Sequence, residues 1–117
     1  MRSYNVQIWV GLRIGYSNEF HTLDDVRAIC DAYISEINDC ITITPTEYRY
    51  VNGWENGVVI GLIQYPRFPR KVRDIKKMAM LLANKLLVGL DQNRVTVTTP
   101  HKSYLIENTN FKLCNNK

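Results

Sequence analysis

Residues 67–77 carry Arg67, Arg70, Lys71, Arg73, Lys76 and Lys77 against a single acid, Asp74. Side chains of this type at this density do one kind of chemistry, the holding of phosphate or carboxylate by guanidinium and ammonium groups. The whole basic excess is local: the chain is +4 overall, yet the rest of it has nine basic and ten acidic side chains. Helix starts prefer acids or capping hydroxyls, because the first backbone N–H groups lack partners and the dipole's positive end points outward. The helical pattern that begins near Arg70 opens instead with Arg70, Lys71 and Arg73. Alone, that arrangement is mildly repulsive, and around a bound anion it becomes attractive. The competing reading is a solvated basic face that keeps the protein soluble.

Aromatic residues supply the second functional element. Tyr48 and Tyr50 share one face of a strand, Trp54 stands at a hairpin tip, and Tyr65 closes a further strand. Flat side chains of this kind stack on bases or anchor interfaces. The expected ligand site therefore combines Arg67, Arg70, Lys71 and Arg73 on phosphates with Tyr48, Tyr50, Trp54 or Tyr65 on a base, some contributed by a neighbouring subunit. Catalytic signatures are sparse. His21 and His101 have no ligand spacing to Cys30, Cys40 or Cys114, so no metal site is expected, and no dinucleotide, P-loop, GxSxG or HExxH pattern calls for a cofactor or names a reaction. Asp24, Asp25 and Glu47 read as helix cap and strand surface. An odd number of scattered cysteines suits free thiols in a reducing cytoplasm. No apolar run approaches the ~20 residues of a membrane span, and no signal-peptide core follows Met1.

The elements that must position these groups follow from periodicity. Val6, Ile8, Val10, Leu12 and Ile14 alternate, predicting a strand over residues 4–16 with one core face. Thr22-Leu23-Asp24-Asp25 reads as an N-cap with helix-start acids, and Val26, Ile29, Cys30, Tyr33, Ile34 and Ile37 continue at helical spacing. A β-rich run over 40–51 meets Asn52-Gly53 and Asn56-Gly57, a hairpin signal, and 58–65 returns as a third strand until Pro66-Arg67-Phe68-Pro69 breaks it. The second helix carries Val72, Ile75, Ala79, Leu82, Ala83, Leu86 and Leu90, with Gly89 placed to end it. Strands at 94–98 and 103–107 follow. This order predicts an α+β, ferredoxin-like split βαβ fold, βαββαβ plus a short C-terminal strand, with an antiparallel sheet and two helices on one face. One domain spans residues 1–108, and 109–117 form a flexible tail. Because helices cover one face only, Trp9, Val59 and Ile63 on the other predict a homo-oligomer interface.

An RNA-binding sheet of the RRM kind shares the strand order. It places stacking aromatics on the third strand, where this chain has Asn56-Gly57-Val58-Val59-Ile60-Gly61-Leu62-Ile63-Gln64-Tyr65, without the inner aromatics. The runs Ile41-Thr42-Ile43-Thr44-Pro45-Thr46-Glu47-Tyr48 and Gly61-Leu62-Ile63-Gln64-Tyr65-Pro66-Arg67-Phe68-Pro69 resemble small uncharacterised proteins of tailed bacteriophages. At fold level the long hairpin and final strand are similar to CutA and PII-like proteins, which bind small ligands between subunits. The phage resemblance implies a compact oligomer that sequesters a host's nucleotide-derived immune signal, acting in the host cytoplasm. The leading expectation is accordingly a non-catalytic, homo-oligomeric binder of a small anionic, nucleotide-derived ligand, with an anti-defence role and no membrane partner. A basic interaction module gripping an acidic protein or nucleic acid is the alternative, and a nucleotide-acting enzyme the third reading.

Overall fold

The computed structural model describes residues 4–37, 40–67 and 69–108, so the tail expected at 109–117 lies outside the described residues. Seven elements follow one another: β1 (Val6–Gly11), α1 (Leu23–Ile37), β2 (Thr42–Tyr50), β3 (Gly53–Leu62), α2 (Val72–Gly89), β4 (Arg94–Thr98) and β5 (Ser103–Glu107). The strands form one antiparallel sheet in the order β2-β3-β1-β4-β5. Each helix thus links two parallel strands with a third strand between them, the split βαβ arrangement predicted from the alternation. The core is the helix-facing side: Val6, Ile8 and Val10 of β1, Val58, Ile60 and Leu62 of β3, and Val95 and Val97 of β4 pack against Val26, Cys30 and Tyr33 of α1 and Ile75, Ala79, Leu82 and Leu86 of α2. Each such aliphatic side chain contributes about 1.5–3 kcal/mol through burial.

Local chemistry sets the helix ends. The Asp25 N–H donates to Thr22 Oγ1 (3.3 Å) while the Thr22 N–H donates to Asp25 Oδ2 (3.1 Å), a reciprocal cap at the start of α1. Lys71 caps α2 with extended backbone and no side-chain hydrogen bond. Gly89 does not supply the left-handed terminator. It closes α2, where a Cβ would lie 2.7 Å from Ile29 Cδ1, so its role is the close approach of α1. The left-handed residue is Asp91, at φ 54°.

Three strand ends differ from the periodicity. β1 stops at Gly11, and residues 12–22 form a loop closed by the Ile14 N–H on the Glu19 carbonyl (2.8 Å) and an Arg13–Phe20 bridge. β3 stops at Leu62 because the Gln64 side chain turns to brace Arg70, accepting its N–H (2.9 Å) and donating to its carbonyl. The hairpin turns at Val51-Asn52, with Asn52 at φ 65°, while Asn56-Gly57 lies inside β3.

Candidate functional site

Gly11 of β1 pairs with Gly57 of β3, so two neighbouring positions on the face away from the helices carry no side chain. The Tyr48 ring of β2 fills part of that gap: a Cβ on Gly57 would strike the ring and lie 2.6 Å from the Val10 carbonyl oxygen. The Tyr48 hydroxyl donates to that same carbonyl at 3.2 Å. Burial, with the charge of Glu55 in register opposite, pushes the Tyr48 phenol up to about 12, so it stays a proton donor at neutral pH.

Beside this floor lies a cleft of about 340 Å³ lined by Gly11, Arg13, Gly15, Tyr16, Glu55, Gln92, Asn93 and Arg94. The volume suits a small ligand. Arg13 Nε stands 3.5 Å from Glu55 Oε2, and the Arg13 guanidinium also donates to the Ser17 carbonyl (2.9 Å) and lies over the Phe20 ring at 5.0 Å. Buried Gln92 donates from Nε2 to the carbonyls of Arg13 (2.8 Å) and Leu90 (2.9 Å), fixing one wall to the other. Asn93 Oδ1 is buried without a hydrogen-bond donor among the described residues, a cost of about 1–3 kcal/mol. Tyr16, 64% exposed, stands on the rim. Opposite charges side by side with an aromatic ring at the mouth suit a zwitterionic chain attached to a flat heterocycle. Among the described residues no group of three or more His, Cys, Asp and Glu could hold a metal ion.

None of the ligand-site residues singled out from the sequence lines this cleft; the Tyr48 ring packs on Gly57, whose strand partner Gly11 does. Tyr50 and Trp54 lie nearer the hairpin tip, each 53% exposed, with Arg49 over the Trp54 ring at 5.9 Å. The cations lie beyond the other end of β3, about 26 Å from Trp54 along the strand. There the Arg70 guanidinium donates to Met78 Sδ (3.2 Å), Arg73 pairs with Asp74 (3.7 Å), and Arg67, Lys71 and Arg73 are exposed. Pro69, Arg70, Lys71, Asp74, Lys77, Met78 and Leu81 line an open groove of about 560 Å³ along α2. Tyr65 accompanies them, its hydroxyl 3.7 Å from Cys40 Sγ. One protomer therefore does not bring Tyr48, Tyr50 or Trp54 to the basic stretch. Trp9 and Val59 are cross-strand partners on the helix-free face, both half-buried, with Trp9 Nε1 donating to Thr98 Oγ1 (2.9 Å), and half-buried Ile63 follows β3. Sequence reasoning missed Arg13, Tyr16, Glu55, Gln92, Asn93 and Arg94. The signal that could have found them is the pairing of Gly11 with Gly57, which needs the β1–β3 register.

No family model matches the chain, and no curated protein matches it. Two solved structures share its fold. A phage SAM lyase in complex with S-methyl-5'-thioadenosine superposes with a TM-score of 0.76 at 18% identity, over 91% of this chain and 90% of that one. A phage SAM lyase in the apo state gives 0.72 at 21% identity, over 90% and 89%. Both are phage proteins, in agreement with the resemblance carried by residues 41–48 and 61–69, and both are enzymes. The expectation of a non-catalytic sequestering protein is corrected by this finding. It rested on missing nucleophile, base and metal signatures, which mark hydrolysis and group transfer. A reaction whose attacking group belongs to the substrate itself leaves no such mark. No helix among the described residues is long and apolar enough to cross a membrane.

Proposed function

We propose that this chain is an enzyme acting on a nucleoside sulfonium, cleaving S-adenosylmethionine (SAM) with release of S-methyl-5'-thioadenosine. The observation that carries the reading is the Arg13–Glu55 pair, 3.5 Å apart in a nucleoside-sized cleft, on a fold shared over nine-tenths of its length with a protein that holds that thioether nucleoside. SAM presents a carboxylate, an ammonium and a sulfonium, so a site offering both signs of charge matches its aminoacyl chain. Loss of the thioether breaks the bond from sulfur to the γ-carbon, and the electron pair stays on sulfur, which becomes neutral. The substrate's own carboxylate oxygen forms the new bond to that carbon and closes a five-membered lactone. Atoms and charge balance with no proton transferred, so the protein need supply no nucleophile or base.

This chemistry joins and cancels opposite charges within the substrate, so it gains wherever the bound substrate itself displaces water from the cleft. Arg13 would hold one carboxylate oxygen and aim the other, which is a matter of positioning. Glu55 would face the cationic part of the substrate, and its hold weakens once sulfur is neutral, which favours product release. The Tyr48 hydroxyl keeps the Val10 carbonyl occupied and the floor rigid, and Tyr16 at the rim would cover the base. The helix-free face with Trp9, Val59 and Ile63 would be where copies of the chain associate, which light scattering tests. Incubation of purified protein with SAM, followed by chromatography and mass spectrometry, tests the activity: the thioether nucleoside and a lactone should accumulate together. SAM that is bound and returned intact, at a rate no faster than its decay in buffer, overturns the reading.

A further inference from the structure

At the end of the loop over residues 12–22, His21 stands between two carboxylates. Its Nδ1 is 2.8 Å from Asp25 Oδ2 in the first turn of α1, and its Nε2 is 3.0 Å from Asp91 Oδ2 in the turn after α2. A neutral imidazole carries one N–H, and ionised carboxylates only accept, so both hydrogen bonds exist together only in the imidazolium. The two arms are not equivalent. Asp25 Oδ2 is also held by the Thr22 N–H at 3.1 Å. For the Asp91 carboxylate, His21 is the partner among the described residues. Loss of a proton leaves one N–H for two carboxylates: kept on Nδ1 it stays with Asp25, at the shorter distance, and releases Asp91, and kept on Nε2 it does the reverse.

Asp91 links the two backbone walls of the cleft. It sits at φ 54°, a conformation that a residue with a side chain adopts reluctantly and keeps only when its surroundings hold it. Its carbonyl accepts the Gly15 N–H at 2.8 Å, and Gln92, Asn93 and Arg94 follow it directly along the cleft. The remaining charges near the ring are already engaged. Asp24 on α1 is taken by Arg27 at 2.8 Å, and Arg13 on the loop is taken by Ser17, Phe20 and Glu55. Glu19, also on the loop, is exposed. The contacts of the imidazole are thus Asp25 from α1 and Asp91 from the α2–β4 turn.

The geometry points to His21 as a positioning residue for this cleft: as imidazolium it pins Asp91, and through Asp91 the Gly15 and Gln92-Asn93 walls, and on deprotonation it keeps its one N–H on Nδ1 toward Asp25 and lets that seam loosen. Its kinetic consequence rests on the reading of the cleft as the reaction site, and its structural consequence does not. The balance of influences on the ring agrees. Burial opposes the charged form, and the hydrogen bonds and charges of Asp25 and Asp91 outweigh it, raising the pKa above 6.5.

Two measurements on the full chain test this. Amide exchange at Gly15 and Gln92, corrected for the intrinsic pH dependence of exchange, is followed from about pH 5 to about pH 9 together with the His21 ring resonances. Protection should fall about tenfold as His21 titrates, and Asp91→Asn should abolish the step. SAM cleavage should lose about tenfold in kcat/KM across the same inflection, mostly through KM, as expected for displaced binding groups. Asp91→Asn should show a flat, lowered profile, and His21→Gln, which can still donate to one carboxylate, should recover part of what His21→Ala loses. Protection at Gly15 and Gln92 that ignores the His21 titration, or an Asp91→Asn profile that matches the wild type, overturns the inference. Absence of SAM cleavage with the protection step intact overturns the reaction reading and leaves His21 as the pin of this seam.

Discussion

The two ends of β3 treat charge in opposite ways. Beyond its C-terminal end, six cations crowd into residues 67–77, and three of them, Arg70, Lys71 and Lys77, line an open groove on α2. Near its N-terminal end a few charges, Arg13, Glu55 and Arg94, come from three distant stretches and meet in a smaller cleft beside a buried amide oxygen that has no hydrogen-bond donor among the described residues. Solvated charge at high density contributes little per group, because water screens it. A few partly desolvated charges held by a glycine-floored sheet can fix one ligand in one orientation. On the proposed reading, chemistry occurs where topology assembles a few charges and not where charge is densest along the chain.

The largest expected effect separates the two ends by stability. Gly57→Val puts branched carbon where the Tyr48 ring and the Val10 carbonyl oxygen already stand, and should cost about 3 kcal/mol or more, since β-strand backbone cannot retreat without losing its pairing. Arg67→Ala at the exposed end should stay within about 0.5 kcal/mol. Denaturant titration of both variants checks this, and equal losses would remove the contrast between a rigid floor and a solvated patch.

Next in size are the charges of the cleft. Arg13→Ala should lower kcat/KM for SAM by about thirtyfold, near 2 kcal/mol, the range for a hydrogen bond to a charged group. Glu55→Gln should raise KM about tenfold without lowering kcat, because a carboxylate that stabilises the substrate's cation does not lower the barrier to its neutralisation. A fall in kcat with constant KM would instead assign Glu55 to the transition state.

How much of this was legible follows from the same contrast. Alternation in β1 and the three-and-four spacing of Val26, Cys30 and Tyr33 or Ile75, Ala79 and Leu82 are local patterns, and they announced the core. Thr22 and Asp25 announced their cap for the same reason. Arg13, Glu55 and Gln92 form no local pattern: one leaves β1, one lies in mid-hairpin, one precedes β4. Only the pairing of Gly11 with Gly57 and the left-handed turn at Asp91 bring them together. Asn56-Gly57 misled because a glycine that clears space for a cross-strand ring has the same letters as one that makes a turn.

A smaller effect should appear in the pH dependence of stability. His21 has its pKa raised above 6.5 in the folded chain, so its contribution is fully present below about pH 6.5 and is lost as pH rises through the folded value. Asp25 is lowered below 3.8, first by its hydrogen bond to His21, so its contribution holds above about pH 3.8 and is lost as pH falls through the folded value. The clamp is strongest between these limits. Thermal melts across that range should show the alkaline decline in the wild type and a flatter one in His21→Gln, and an unchanged decline in the variant would assign it elsewhere.

The smallest expected effect is at the basic end, through Arg70→Glu. An acid before the start of α2 suits the helix dipole by some tenths of a kcal/mol. The substitution also removes the guanidinium from Met78 Sδ, a loss of similar size, while the backbone brace from Gln64 persists because it uses the Arg70 N–H and carbonyl alone. Stability should therefore move by less than about 0.5 kcal/mol. Reversal of one screened charge more than a Debye length of about 8–10 Å from the cleft should leave kcat/KM for SAM within about twofold at physiological salt. A loss of tenfold or more would mean that the basic stretch of a neighbouring copy reaches the cleft, as the sequence expectation of a site shared between subunits requires. The same assay on mixtures of Arg70→Glu and Arg13→Ala chains would then decide it, because partial recovery of activity on mixing can arise only if one chain supplies Arg70 to a cleft in which another supplies Arg13.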